Sequence, residues 1–222
     1  MNLVVRALCK RLAARRVLRD IELACSDGDL VVIVGENGSG KSTLLRVLAG
    51  IFEPDTGQVL LDGIELRGGG GLARRHVAYV PDASDPLPDL TVREFLALVA
   101  ALKGAPLPSS AQYDRLHVSA TVEQRMGSLS FGQRKRVCLL AAQIGDPWLW
   151  LLDEPTNGID PEGVQLIHAL LVERQQRRES TILATNDRPF VAALVTSQSA
   201  RVLRLCDGAL TESSVETHGS RP

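Results

Sequence analysis

Eight consecutive residues, Gly35-Glu-Asn-Gly-Ser-Gly-Lys-Ser42, satisfy G-x-x-x-x-G-K-[ST] in full. An apolar run, Leu30 to Val34, precedes them, and a stretch of helical period from Lys41 to Ala49 follows. Strand, glycine-rich turn and helix in that order make a phosphate loop. Gly35, Glu36, Asn37, Gly38, Ser39 and Gly40 supply amides that curl around phosphate oxygens, and the helix end adds positive potential. Lys41 is then expected on the β- and γ-phosphates and the Ser42 hydroxyl on Mg²⁺, with Thr43 beside them in the first turn.

The rest of the chain agrees with a buried strand feeding that loop. Short apolar runs alternate with helix-period stretches, the pattern of an α/β fold with a mainly parallel sheet. Strands are read at 17–23, 58–61, 30–34, 76–80, 148–152, 180–184 and 201–205, and helices at 41–49, 91–102, 161–178 and 189–195. The strands at 17–23 and 58–61 suggest an antiparallel edge layer. Thr91 and Glu94 are spaced as a capping box. The stretch from about 85 to 145 breaks the strand rhythm and reads as a helical lobe inserted in the core. One domain is expected over 1–211, with Gly68-Gly-Gly-Gly71 as a flexible connection and a mobile polar tail over 212–222.

Composition removes several functions. With 25 Lys and Arg against 26 Asp and Glu, the net charge is −1, and aromatics are 4%. A nucleic-acid partner is not expected, because neither a basic field nor stacking platforms are present. Cys9, Cys25, Cys138 and Cys206 are far apart without a C-x-x-C pair, so reduced thiols are expected rather than a metal site. His76, His117, His168 and His218 are dispersed and take ordinary roles. Trp148 and Trp150 alternate along a strand and read as core. No apolar run approaches the ~18 residues of a membrane crossing. A cytoplasmic protein is expected, peripheral on the inner face of the membrane if a membrane partner exists.

Two further motifs add chemistry. Trp148-Leu-Trp-Leu-Leu-Asp-Glu154 is an apolar strand ending in two carboxylates, which a buried strand tolerates only against a compensating charge. Asp153 suits Mg²⁺, and Glu154 suits the orientation and polarisation of an attacking water. Leu129-Ser-Phe-Gly-Gln133 opens a helix that places Val137, Leu140, Ala141 and Ile144 on one face. Arg134, Lys135 and Arg136 are expected to face solvent.

With these segments in that order, the chain resembles the ATP-binding cassette family, the nucleotide-binding subunits of ABC transporters. The resemblance runs from about Leu3 to Leu210. Leu129 to Gln133 is similar to the family signature LSGGQ, with Phe131 for a glycine. It implies that Ser130, Gly132 and Gln133 meet the γ-phosphate of ATP held by a second nucleotide-binding subunit. Thr156-Asn-Gly-Ile-Asp160 resembles the D-loop at the dimer interface; Asp160 before Pro161 also reads as a helix N-cap. The resemblance further implies ATP and Mg²⁺ as ligands, ATP hydrolysis, and separate transmembrane permease subunits docking around 82–95.

Three positions depart from the family pattern. Asp82 stands where a glutamine is usual, and a carboxylate there can accept from a Mg²⁺-bound water. Asn186 stands where a histidine is usual; it keeps a donor but cannot become cationic. Leu12 stands where an aromatic residue stacks on adenine and offers apolar packing alone. Asn186 and Asp82 together predict slow hydrolysis at this chain's own loop. A non-transport ATPase and a slow nucleotide-sensing subunit are the alternatives.

Overall fold

The computed structural model describes residues 1–66, 73, 75–82 and 87–213. The tetraglycine run and most of the polar tail lie outside them.

Strands β1 (Asn2–Leu12), β2 (Arg15–Ser26), β4 (Thr56–Leu61) and β5 (Ile64–Glu65) form an antiparallel sheet in the order β2-β1-β4-β5. The expected edge layer is therefore present, and β1 is an addition to the sequence reading. Its pairing with β2 shifts register between Val5 and Leu8 and again at Lys10. Those irregularities break the alternation that would have revealed an eleven-residue strand.

Strands β3 (Leu30–Val34), β6 (Val77–Val80), β7 (Leu149–Asp153), β8 (Ser180–Ala184), β9 (Arg201–Cys206) and β10 (Ala209–Glu212) form the main sheet, ordered β10-β9-β3-β8-β7-β6. All pairs are parallel except β9 with β10. Parallel pairing puts the ends of β3, β8, β7 and β6 on one edge, where ligands of such sheets bind. Gly35, Asn186, Glu154 and Asp82 all lie one or two residues past those ends.

Alternation sorts the two faces of this sheet. Val31, Ile33, Leu149, Leu151, Ile182 and Leu203 pack with the antiparallel layer and helix α1 (Lys41–Leu48). Val32, Val80, Trp150, Leu152, Leu183 and Val202 pack with helices α2 (Val92–Lys103), α4 (Phe131–Gln143), α5 (Pro161–Gln176) and α6 (Arg188–Gln198). Trp148 and Trp150 thus point into different cores, and Arg174 lies 4.2 Å over the Trp150 ring. The sheet is buried on both faces, which is why its strands read as continuous apolar runs.

Between β6 and β7 the chain forms the helical lobe: α2, a short helix α3 (Ser110–Arg115) and α4. Thr91 and Glu94 close α2 with the expected capping box. Arg115 of α3 grips Glu173 of α5 through two hydrogen bonds of 2.7 and 2.6 Å, tying lobe to core. That pair holds the Glu173 carboxyl below the usual glutamate range. One expectation is overturned in α4. Lys135 and Arg136 are buried, as is every residue from Val137 to Ala142. The helix passes between the lobe and the sheet end, so no side of it is left for solvent along that stretch. A one-face reading fails for a helix surrounded by protein.

Candidate active site

Gly40 N-caps α1 in a left-handed conformation, φ 110°, and no side chain caps the helix. The first-turn amides therefore point into the loop without a side-chain acceptor. Gly35 cannot be replaced, since a Cβ there would lie 2.4 Å from the Leu205 carbonyl oxygen. The Lys41 ammonium folds over the loop and donates to the carbonyls of Gly35 (2.7 Å) and Glu36 (3.3 Å). It also lies 3.4 Å from Asn186 Oδ1 and 3.8 Å from Glu154 Oε1. Thr43 is buried in the same first turn.

Asp153 is 2% exposed at the end of β7. Burial pushes its carboxyl pKa up, against a hydrogen bond from the Ser42 hydroxyl. Tyr79 donates to its Oδ2 at 3.4 Å, while its Oδ1 is buried without a hydrogen-bond partner. A buried, unsatisfied carboxylate oxygen next to a serine hydroxyl is a donor set that fits a Mg²⁺ ion. Glu154 follows in the left-handed region at φ 42°, an unfavourable conformation for a side chain with a Cβ. Its amide bonds to the Ala184 carbonyl (2.8 Å), and its Oε2 accepts from the Asn186 amide (3.2 Å). The turn aims the carboxylate at the loop instead of back along the strand.

Asn186 stands between these groups. Its carboxamide meets Asn37 at 2.8 Å, and with the amide rotated its nitrogen reaches the Gly35 carbonyl at 2.5 Å. Asp82 closes the fourth strand end, where its Oδ1 accepts from Asn157 (3.0 Å) and lies 3.8 Å from Lys135 Nζ. Phosphate loop, Asp153, Glu154 and Asn186 are thus joined by direct contacts, and Asp82 is joined through Lys135 and Asn157.

Leu12 is placed differently from its expected neighbours. It ends β1 at a two-residue turn and is 41% exposed. A cavity of about 420 Å³ opens beside the phosphate loop, and Leu12 is not among its lining residues. Arg15, Arg16 and Val17 of β2, Asn37 of the loop, and Cys206 and Asp207 line it. These arginines are functional candidates absent from the sequence reading, because only the fold sets them beside the phosphate loop.

Ser130, exposed, N-caps α4. Its Oγ accepts from the Gln133 amide at 3.2 Å, and Gln133 Oε1 accepts from the Ser130 amide at 2.9 Å. Phe131 does not block the helix tip. Its ring turns onto the D-loop, where a Cβ on Gly158 (φ 66°) would stand 2.6 Å from it. Gly132 likewise faces the Gly158 carbonyl. Asp160 N-caps α5 through the Gly163 amide (3.1 Å) and accepts from Arg136 at 2.8 Å. The Arg136 bond holds the Asp160 carboxyl below the usual range.

A two-faced parallel sheet, a phosphate loop at its edge and paired carboxylates on the adjacent strand end define a P-loop nucleoside triphosphatase. The family model for ABC transporters matches residues 18–157. The lipoprotein-releasing system ATP-binding protein LolD of Alcanivorax borkumensis is 31% identical over 188 residues, 79% of this chain and 82% of that protein. The cytochrome c biogenesis ATP-binding export protein CcmA of Cupriavidus pinatubonensis is 37% identical over 177 residues, covering 78% and 77%. Among solved structures, an ATP-binding subunit of an ABC transporter superposes with TM-score 0.83 at 25% identity, covering 97% of this chain and 91% of that one. An ATP-binding cassette dimer in a post-hydrolysis state with ADP and phosphate shares the fold at TM-score 0.78 and 22% identity, covering 96% and 99%. The chain belongs to the ABC transporter family as an ATP-binding cassette, and it is an ATPase.

Proposed function

We propose that this chain is the nucleotide-binding subunit of a membrane transporter, and that it works by closing on a second such subunit around MgATP. The observation that carries this is the split of the machinery. The phosphate loop, Asp153, Glu154 and Asn186 meet at one sheet edge, whereas Ser130 and Gln133 are exposed at a helix tip on the lobe, with Gly132 half-buried between them. A helix tip that offers amides and a hydroxyl fits an anion held by another molecule.

In the reading we favour, the loop amides and Lys41 hold the β- and γ-phosphates. Ser42 and Asp153, with Asp82 nearby, would hold Mg²⁺. Bound Mg²⁺ offsets charge on the phosphoryl oxygens during transfer. Glu154 orients and polarises the attacking water, and Asn186 donates to the γ-phosphate. The base lies beside Val17 with Arg15 and Arg16 along it, in the cavity that Leu12 does not line. Ser130, Gly132 and Gln133 reach the partner's nucleotide, and Asp160 sits at the seam. Closing and parting drive permease subunits that dock around 82–95, of which 83–86 lie outside the described residues.

Among the described residues no helix is long and apolar enough to cross a membrane, which suits a subunit held at the inner face by its partners. Lipoprotein release, cytochrome c biogenesis export and zinc import all occur among the relatives' names, so we assign the cargo to the permease. Glu154→Gln tests the scheme. It is expected to keep ATP binding, to lose about a hundredfold or more in phosphate release, and to accumulate an ATP-dependent dimer on size exclusion. A chain that stays monomeric at saturating MgATP, alone and with co-purified permease, ends the closure model.

One observation favours a slow site. Asn186 is engaged by Asn37 and Lys41 and has no ionisable group. Losing a cationic donor to the γ-phosphate costs up to about 3 kcal/mol in the transition state.

A further inference from the structure

Lys135 is fully buried. Its ammonium donates to the carbonyls of Asp82 (3.0 Å), Pro81 (3.2 Å) and Asp153 (3.4 Å). Three donors meet three acceptors, the full capacity of a lysine. The Asp82 carboxylate lies 3.8 Å away, and the Phe131 ring covers another side at 5.6 Å. A buried ammonium persists only where carbonyls and a counter-charge replace its water. Burial drives its pKa down, while Asp82, Asp153 and Glu154 push it back up.

The position of these contacts is what matters. Pro81 and Asp82 are the first residues past β6, and Asp153 ends β7. Lys135 comes from α4, whose tip carries Ser130 and Gly132. One side chain of the lobe therefore ties together the two strand ends that present Asp82, Asp153 and Glu154. Asp82 is held from its other side by Asn157 of the D-loop.

We propose that Lys135 is a positioning residue for hydrolysis, fixing the separation of the β6 and β7 ends and neutralising Asp82. This rests on the ATPase reading of the same strand ends. With Asp82 in place of a neutral amide, three carboxylates crowd one edge, and Lys135 supplies the balancing charge. The two residues form a matched pair. Changing Asp82 alone removes the carboxylate 3.8 Å from the buried ammonium, and changing Lys135 alone leaves the repulsion between Asp82 and Asp153 unbalanced.

Four variants test this: Lys135→Met, Lys135→Gln, Asp82→Gln and the double variant D82Q/K135Q. Three measurements apply to each: melting of the nucleotide-free chain, Mg²⁺ dependence of binding of a fluorescent ATP analogue, and steady-state phosphate release. Lys135→Met and Lys135→Gln are expected to lower kcat by about tenfold or more with KM for ATP within about threefold, the mark of transition-state positioning. They should raise the Mg²⁺ concentration for half-maximal analogue binding and leave Mg²⁺-free binding unchanged. The double variant should regain at least about tenfold in kcat over K135Q, since neighbours sharing a network are not additive. If K135M does not fold, K135Q and the double variant carry the test. Effects that multiply in the double variant, or an unchanged Mg²⁺ requirement in K135Q, overturn the proposal. Absent phosphate release from the wild-type chain would refute the ATPase reading instead; the Mg²⁺ dependence of analogue binding would still decide Lys135.

Discussion

Two helix tips in this molecule face anions in the proposed cycle, and they are built oppositely. Helix α1 begins at a glycine in a left-handed conformation with no side-chain cap. Helix α4 begins at Ser130, inside a completed capping box with Gln133. The first tip keeps its amides open because the loop curls around them and Lys41 guards the opening. The second is satisfied by its own residues and must exchange those bonds when a nucleotide on a second subunit arrives. One site is preorganised for the phosphates of its own ATP. The other is a stable cap in the separate subunit and a phosphate contact only after docking.

Substitutions at each tip can break that contrast. The largest effect is expected from Lys41→Met. It removes the buried cation, and kcat should fall about 10²–10³-fold in phosphate-release assays while circular dichroism stays unchanged. Ser130→Ala should act twice. Loss of the cap lowers stability by about 1 kcal/mol, visible in denaturant melts. Loss of the contact lowers ATP-dependent dimerisation and turnover by about a hundredfold at most. A variant that shows the stability loss with normal dimerisation would reduce Ser130 to a cap and erase the contrast. Asn186→His sharpens the preorganised side. A gain in kcat on the order of tenfold is expected in phosphate release near neutral pH, where imidazole can take a proton; an unchanged rate would show that position 186 does not limit turnover.

The smallest effect concerns the lobe that carries the second tip. Arg115 holds the Glu173 carboxyl below its usual range. The pair therefore contributes stability above the unfolded glutamate pKa of about 4.3, and loses it as pH falls through the lowered native value. Both side chains are more than a third exposed, which limits the contribution to below about 1 kcal/mol. Glu173→Gln should melt slightly lower at pH 7, and the gap should close under acid.

Much of the catalytic edge was legible because its chemistry is contiguous. The loop from Gly35 to Ser42 and the carboxylates Asp153 and Glu154 each sit within one short segment. The capping box at Thr91 and the N-cap at Asp160 were legible for the same reason. What escaped reading depends on packing. Lys135 belongs to a run of three cations that looks solvated, and its burial comes from a strand end more than fifty residues earlier. Strand β1 escaped because bulges break its period. Arg15 and Arg16 sit on a strand whose outer residues look like ordinary surface, and only the fold sets them beside the phosphate loop.

Local sequence thus determined the phosphate cradle, the carboxylate pair and the helix caps, since backbone conformation and neighbouring side chains are enough to specify each. Only the tertiary structure decided that four strand ends share one edge, that Glu154 turns through a left-handed residue to face Lys41, and that a lobe lysine binds the edge together. Those outcomes follow from strand order and burial, where the environment of a side chain is set by residues remote along the chain.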